Sequence, residues 1–442
     1  MAQYIWGIGA AETAAAIAAG RTSARAECEA AIARIETLND ALNAVIVKDY
    51  DRARADADAA DAAIARGERR PLLGVPMTVK ESFELAGHPQ TWGFDHARGN
   101  MIAEDGSTVR RLRAAGAVIL GKTNVPVALA DIQSVNPIYG RTNNPWDVSR
   151  VPGGSSGGSA AALASGMVPL EMGSDIGGSI RTPAHFCGIF GHKTSYGVIP
   201  LDGHRYPGTD GADRPMSVAG PMARHAADLS LALDVVAARP LPPARITTLH
   251  DARLLLLTTH PRAAVSAETV AALEDVEERA IAAGAVVLRE HPYLPDLSAL
   301  FDAYMKMLVI TVSGGAPAPD GHVATVADWF ALQDVQARMQ RQFAKLFDDI
   351  DAVLAPVFGT TAFAHDDRAM MDRTLDVDGA TTRFADQFAW ISMATFCHLP
   401  STSTPIAIGA GDLPINMQVI TPFLADHDAI ALAGMLAQPR AC

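Results

Sequence analysis

Apolar residues recur at helical spacing through most of the first seventy positions. Residues 24–38 place them three and four apart, and residues 52–69 mix Ala with Asp and Arg as a helix with one solvated face does. The alanine-rich run 9–20 contains Glu12 and predicts a surface helix. The pattern then changes. Residues 72–80 form a turn feeding the short apolar run 75–79, which predicts a buried strand. Residues 107–115 predict a helix, 117–120 a strand and 125–129 the start of another helix. A short apolar helix at 160–164 and a strand at 168–172 sit between two Gly/Ser clusters.

Beyond residue 181 the alternation continues. Residues 192–200 read as strand and loop, and 224–238 as an amphipathic helix. Pro240, Pro242 and Pro243 mark a seam at 239–245. Strand, helix and strand follow at 253–258, 266–283 and 285–288. Residues 292–347 are helix-rich, 353–356 a buried strand, and 365–380 polar and irregular. A helix at 384–396, a strand at 413–420 and a terminal helix at 426–438 close the pattern. Alternating helices and short apolar runs predict the α/β class. With no repeat and no low-complexity linker, residues 1–442 are expected to form a single domain. Its motif-dense core spans about 70–225, and a variable helix-rich region spans about 292–380.

Composition narrows the function. Of 442 residues 49% are hydrophobic and 19% charged, as in a soluble globular protein. The net charge of −13 argues against nucleic acid as a partner. No basic segment precedes an apolar stretch as in a signal peptide, and no apolar run reaches the roughly 18 residues of a membrane span. Cys28, Cys187, Cys397 and Cys442 lie far apart, which suits reduced thiols in the cytoplasm.

The candidate chemistry lies around the two Gly/Ser clusters. Each precedes a segment able to start a helix, and successive backbone N–H groups in such turns form a pocket for negative charge. Lys80 ends an apolar strand. A buried lysine loses its proton readily and then serves as a base for a hydroxyl. Nucleophile, base and oxyanion donors are therefore available together. Two other motifs match on paper. Gly116–Thr123 fits the P-loop pattern, but the four residues between its glycines are Ala-Val-Ile-Leu, a strand where a loop belongs. Gly154–Gly158 fits the nucleophile elbow, yet residues 143–153 are rich in Pro, Asn and Gly instead of forming a strand. The thirteen histidines offer no legible triad spacing. His365-Asp366-Asp367 reads as a solvated acidic loop, so no metal is expected. Trp92, Phe94, Tyr139, Tyr206 and Trp390 offer the lining of an aromatic-accepting pocket, with core packing the preferred reading for each.

The stretches Gly74-Val-Pro-Met-Thr-Val-Lys80, Gly153-Gly-Ser-Ser-Gly-Gly-Ser159 and Gly173-Ser-Asp-Ile-Gly-Gly-Ser-Ile-Arg181 resemble the amidase signature family. The resemblance continues through Gly121-Lys-Thr-Asn-Val-Pro126, Ser134-Val-Asn-Pro137 and Cys187-Gly-Ile-Phe-Gly-His-Lys193 to Leu413-Pro-Ile-Asn-Met-Gln418. It implies an α/β/α fold with a twisted mixed sheet covered by helices on both faces. It also implies a Ser–cis-Ser–Lys triad: Ser179 as nucleophile, Ser155 as bridging serine on a cis Gly–Ser peptide, and Lys80 as base. Backbone amides of Ile176, Gly177, Gly178 and Ser179 match the family's oxyanion hole, and Leu129 its acyl pocket. Asp175 and Arg181 match residues that brace the loop. Glu81 stands where many members carry Asp, and Asp412 where glycine is common. The resemblance implies hydrolysis of a small-molecule amide, with esters and aryl carbamates (urethanes) as further substrates, and no cofactor. One rival is a glutamine amidotransferase subunit. The other, from a different class, is a P-loop nucleotide binder. A homodimer is compatible with the sequence, which leaves the oligomeric state open.

Overall fold

The computed structural model describes residues 8–317, 321 and 323–438. Cys442 and the ends of the 1–442 expectation lie outside the described residues. Eleven strands form one sheet. In spatial order they are Val45–Lys48, Val118–Thr123, Pro76–Lys80, Leu170–Asp175, Val218–Ala223, Phe190–Lys193, Ser401–Ile408, Pro414–Ile420, Ala352–Pro356, Arg253–Leu256 and Val286–Leu288. Pro76–Lys80 runs parallel to both of its neighbours, and so does Arg253–Leu256. The remaining pairs are antiparallel, so the sheet is mixed as expected.

The period-two alternation of each strand distributes side chains between two layers. Val118 and Leu120 pack with the helices Ala24–Leu42, Tyr50–Ala65 and Gly157–Ala164. Met77, Val79, Ile119 and Met172 pack on the opposite face with Ser107–Ala114 and Ala226–Val236. The far half of the sheet repeats the arrangement. Leu254, Leu256 and Val419 meet Ala267–Ala282 and Asp426–Leu436. Leu255, Val353 and Ile420 meet Leu297–Ser313, Val326–Leu346 and Phe388–Phe396. Because Met77 and Val79 take one face, Thr78 and Lys80 take the other.

Several elements differ from the sequence expectations. Residues 125–129 do not begin an α-helix. Val127–Leu129 is a single tight turn in which Ala128 and Leu129 adopt φ of 59° and 57°, and Ala128 N–H donates to Trp92 O at 2.8 Å. Residues 365–380 are not wholly irregular, since Thr374–Val377 pairs with Ala380–Arg383. Asp378 and Gly379 turn this hairpin with φ of 53° and 83°, the conformation an Asp-Gly pair favours. The strands Val218–Ala223 and Ser401–Ile408 carry Pro221 and Pro405, which mask a strand in sequence.

The P-loop match also resolves here. Gly121 and Lys122 lie inside the buried strand Val118–Thr123, so this match is strand and not a phosphate-binding loop. Gly121 adopts φ of 148°, and a Cβ there would stand 1.9 Å from Val47 O. The glycine is required by strand contact. Gly121→Ala is expected to destabilise the protein by about 3 kcal/mol in urea unfolding. An unchanged midpoint would contradict that account.

Candidate active site

Lys80 ends a central strand and has no exposed surface. Its Nζ donates to Ser155 Oγ at 2.7 Å and to Ser174 Oγ at 2.9 Å. Burial pushes the ammonium down to about 7, opposed by the nearby carboxylates of Asp175, Glu171 and Glu81. Ser155 follows a cis Gly154–Ser155 peptide and stands two residues before the helix Gly157–Ala164. Ser134 braces this loop by accepting from Gly157 N–H at 3.1 Å and donating to Gly153 O at 3.2 Å.

The second cluster turns on Asp175. Its Oδ1 accepts from Gly178 N–H at 3.0 Å, and its Oδ2 accepts from Ile180 N–H at 3.1 Å. Arg181 Nη2 and Nε close on the same carboxylate at 3.0 and 3.1 Å. Burial would raise the Asp175 carboxyl, but the guanidinium holds it below its ordinary value. Gly178 adopts φ of 85°, a turn that glycine makes without strain. Its amide faces Asp175, which corrects its placement among the oxyanion donors. The amides of Ile176, Gly177 and Ser179 have no acceptor among the described residues.

Ser155, Ser174, Ser179, Ile176 and Leu129 line one narrow chamber of about 60 Å³. Lys80 stands behind it. Among the described residues no hydrogen bond joins the hydroxyls of Ser155 and Ser179, although both serines line the same space. Trp92 and His204 also line the chamber, which meets a vestibule of about 540 Å³ lined by Phe94 and Tyr206. Three of the five aromatics assigned to the core therefore wall the approach. Trp390 is fully buried as expected.

Ser156 does not behave as an elbow nucleophile. It is fully buried, and its N–H donates to Ser179 O at 3.1 Å. His192, Asp426 and Ser195 do meet, with Nε2 at 3.1 Å and Ser195 Oγ at 2.6 Å from the carboxylate. They are wrongly ordered for a triad, because the carboxylate separates serine from imidazole, and all three are fully buried. The acidic loop is spent in ion pairs, Asp366 with Arg368 and Asp367 with Arg141.

Residue-level reasoning missed Ser174, Glu171 and Tyr304. Ser174 is the second hydroxyl on Lys80, and only its place beside Asp175 hinted at it. Glu171 is buried, accepts from Thr123 Oγ1 at 2.9 Å, and is pushed up to about 7 by burial. Tyr304 donates to Ile176 O at 2.9 Å from a helix that carries no motif.

Asp175→Asn would leave the fully buried Arg181 without its counter-charge. Unfolding should become easier by about 3–5 kcal/mol, read from the urea midpoint. A loss under 1 kcal/mol would contradict the bracing role.

The chain has relatives along nearly its whole length. The model of the Amidase family matches residues 27–314 and 315–430. A putative amidase, AmiB2, of Mycobacterium bovis is 32% identical over 98% of this chain and 96% of its own length. One component of the glutamyl-tRNA(Gln) amidotransferase of Chromohalobacter salexigens is 30% identical over 97% of this chain and 95% of its own. A crystal structure of a bacterial aryl acylamidase superposes with a TM-score of 0.85 at 25% identity, covering 98% of this chain and 96% of that one.

Proposed function

Because the chain belongs to the amidase signature family of C–N hydrolases, we propose that it cleaves a small carboxylic amide to acid and amine through an acyl-enzyme on Ser179. The observation that carries this reading is the buried Lys80 amine 2.7 Å from Ser155 Oγ, behind the chamber that Ser179 lines. Above about pH 7 this amine is neutral and accepts a proton. Ser179 Oγ attacks the carbonyl carbon as its proton passes to Ser155 and that of Ser155 to Lys80. The carbonyl oxygen becomes an oxyanion held by the amides of Ile176, Gly177 and Ser179. As the C–N bond breaks, the nitrogen takes the proton back along the same path. Water then attacks the ester carbon and gives a proton to the relay; the C–O bond to Ser179 breaks, Ser179 Oγ takes that proton back, and the acid leaves.

Esters and aryl carbamates follow the same route, since only the leaving group differs. The likeness to an amidotransferase component favours a second reading, release of ammonia from glutamine for a partner. Glutaminase activity that rises when a partner is added would identify it.

Two outcomes test the main reading. Ser179→Ala should lower amide turnover by on the order of a thousandfold or more while circular dichroism stays native. Residual activity above a few per cent would overturn the nucleophile. The rate should rise from acid toward alkaline pH with a midpoint near 7, because the protonated form of Lys80 is inactive and the neutral form active. A flat profile with chemistry rate-limiting would overturn the lysine base.

A further inference from the structure

The two chambers contain a charge imbalance. Asp175 is the carboxylate lining the inner chamber, and Arg181 neutralises it at 3.0 Å. Asp213 is the carboxylate lining the vestibule, and Arg205 Nε stands 3.7 Å from it. His204 lines both spaces, but burial pushes its imidazole down to about 3, so it is neutral. Arg214 also lines both spaces and has no carboxylate partner among the described residues. Its Nη1 donates to Thr311 O and Val312 O at 2.9 and 2.8 Å, and its guanidinium lies 5.7 Å from the Tyr206 ring centre. These contacts fix the plane of the group while Nε and Nη2 keep their N–H donors unassigned. The surrounding wall of Trp92, Ala128, Leu129 and Val312 supplies no competing charge.

We infer that Arg214 selects an amide that carries a carboxylate a few atoms from its scissile carbonyl. This inference rests on the amidohydrolase reading and names the substrate class of that same site. A planar guanidinium held on two carbonyls and a ring offers a preformed fork to a carboxylate. Its place on both chambers lets the anion sit at the mouth while the carbonyl reaches Ser179. The anion belongs either to the acyl half, as in the half-amide of a short dicarboxylic acid, or to the amine half, as in an N-acyl amino acid.

The test compares succinamate and glutaramate with butyramide, and N-butyrylglycine with N-propylbutyramide, in the native protein and in Arg214→Gln. The native protein should prefer the anionic member of at least one pair, and which pair identifies the half that carries the charge. In Arg214→Gln that preference in kcat/KM should fall at least tenfold, mainly through KM, with Arg214→Lys between. A purely structural tether to Thr311 and Val312 would lower both members of a pair together and leave the ratio intact, which overturns the proposal. Native preference for the neutral members overturns it too. Calorimetric binding of glutarate against butyrate reads Arg214 without turnover. Tighter glutarate binding lost in Arg214→Gln supports the anion site even if no amide is cleaved, and equal binding of the two acids rejects it. Absence of amide cleavage alone counts against the amidohydrolase reading.

Discussion

The site depends on removing one amine from water. A solvated lysine is protonated at neutral pH and has no use as a base. Lys80 escapes this because it ends a strand whose neighbours on both sides are buried, and because its contacts are hydroxyls instead of carboxylates. The carboxylates stay at charge distance, where they moderate the fall without reversing it. Serine partners accept or donate a hydrogen bond with either form of the amine, so the proposed relay needs no rearrangement of the wall.

A second constraint ties this strand end to the rest of the chain. Arg181 reaches beyond Asp175 to Ile391 O at 3.0 Å, Thr395 Oγ1 at 2.7 Å and Gln418 Oε1 at 3.0 Å. Gln418 in turn donates to Pro356 O and Trp390 O. The loop carrying Ser179 is thus held by residues more than two hundred positions away. A fully buried ion pair supports such a loop only when its remaining donors are satisfied, and here they are. The same contacts give the C-terminal motif Leu413–Gln418 a structural reason, since Gln418 is one of the residues that hold the loop.

How much of this was legible in the sequence follows from the range of each interaction. The Gly/Ser clusters, Lys80 and the parallel strand around it announce themselves through local pattern. Burial of Lys80 does not single it out, because Lys122 and Lys193 are buried as deeply. Its contacts to the hydroxyls of Ser155 and Ser174 separate Lys80 from them, and those contacts join residues 75 and 94 positions apart. Tyr304 and Arg214 were invisible for the same reason, since their meaning lies in what the fold places opposite them. Gly178 shows the converse error: its motif position suggested an oxyanion donor, while a carboxylate three residues away takes its amide. The hairpin at Thr374–Val377 was readable from Asp378-Gly379, but its polar surroundings concealed the alternation.

The central claim is that Ser179 is the nucleophile of an acyl-enzyme primed by Lys80. Labelling with a serine-directed fluorophosphonate, followed by intact mass and peptide mapping, tests it most directly. The account predicts one adduct, on Ser179, formed faster as pH rises through about 7. An adduct on Ser156, or none on folded protein, would contradict it.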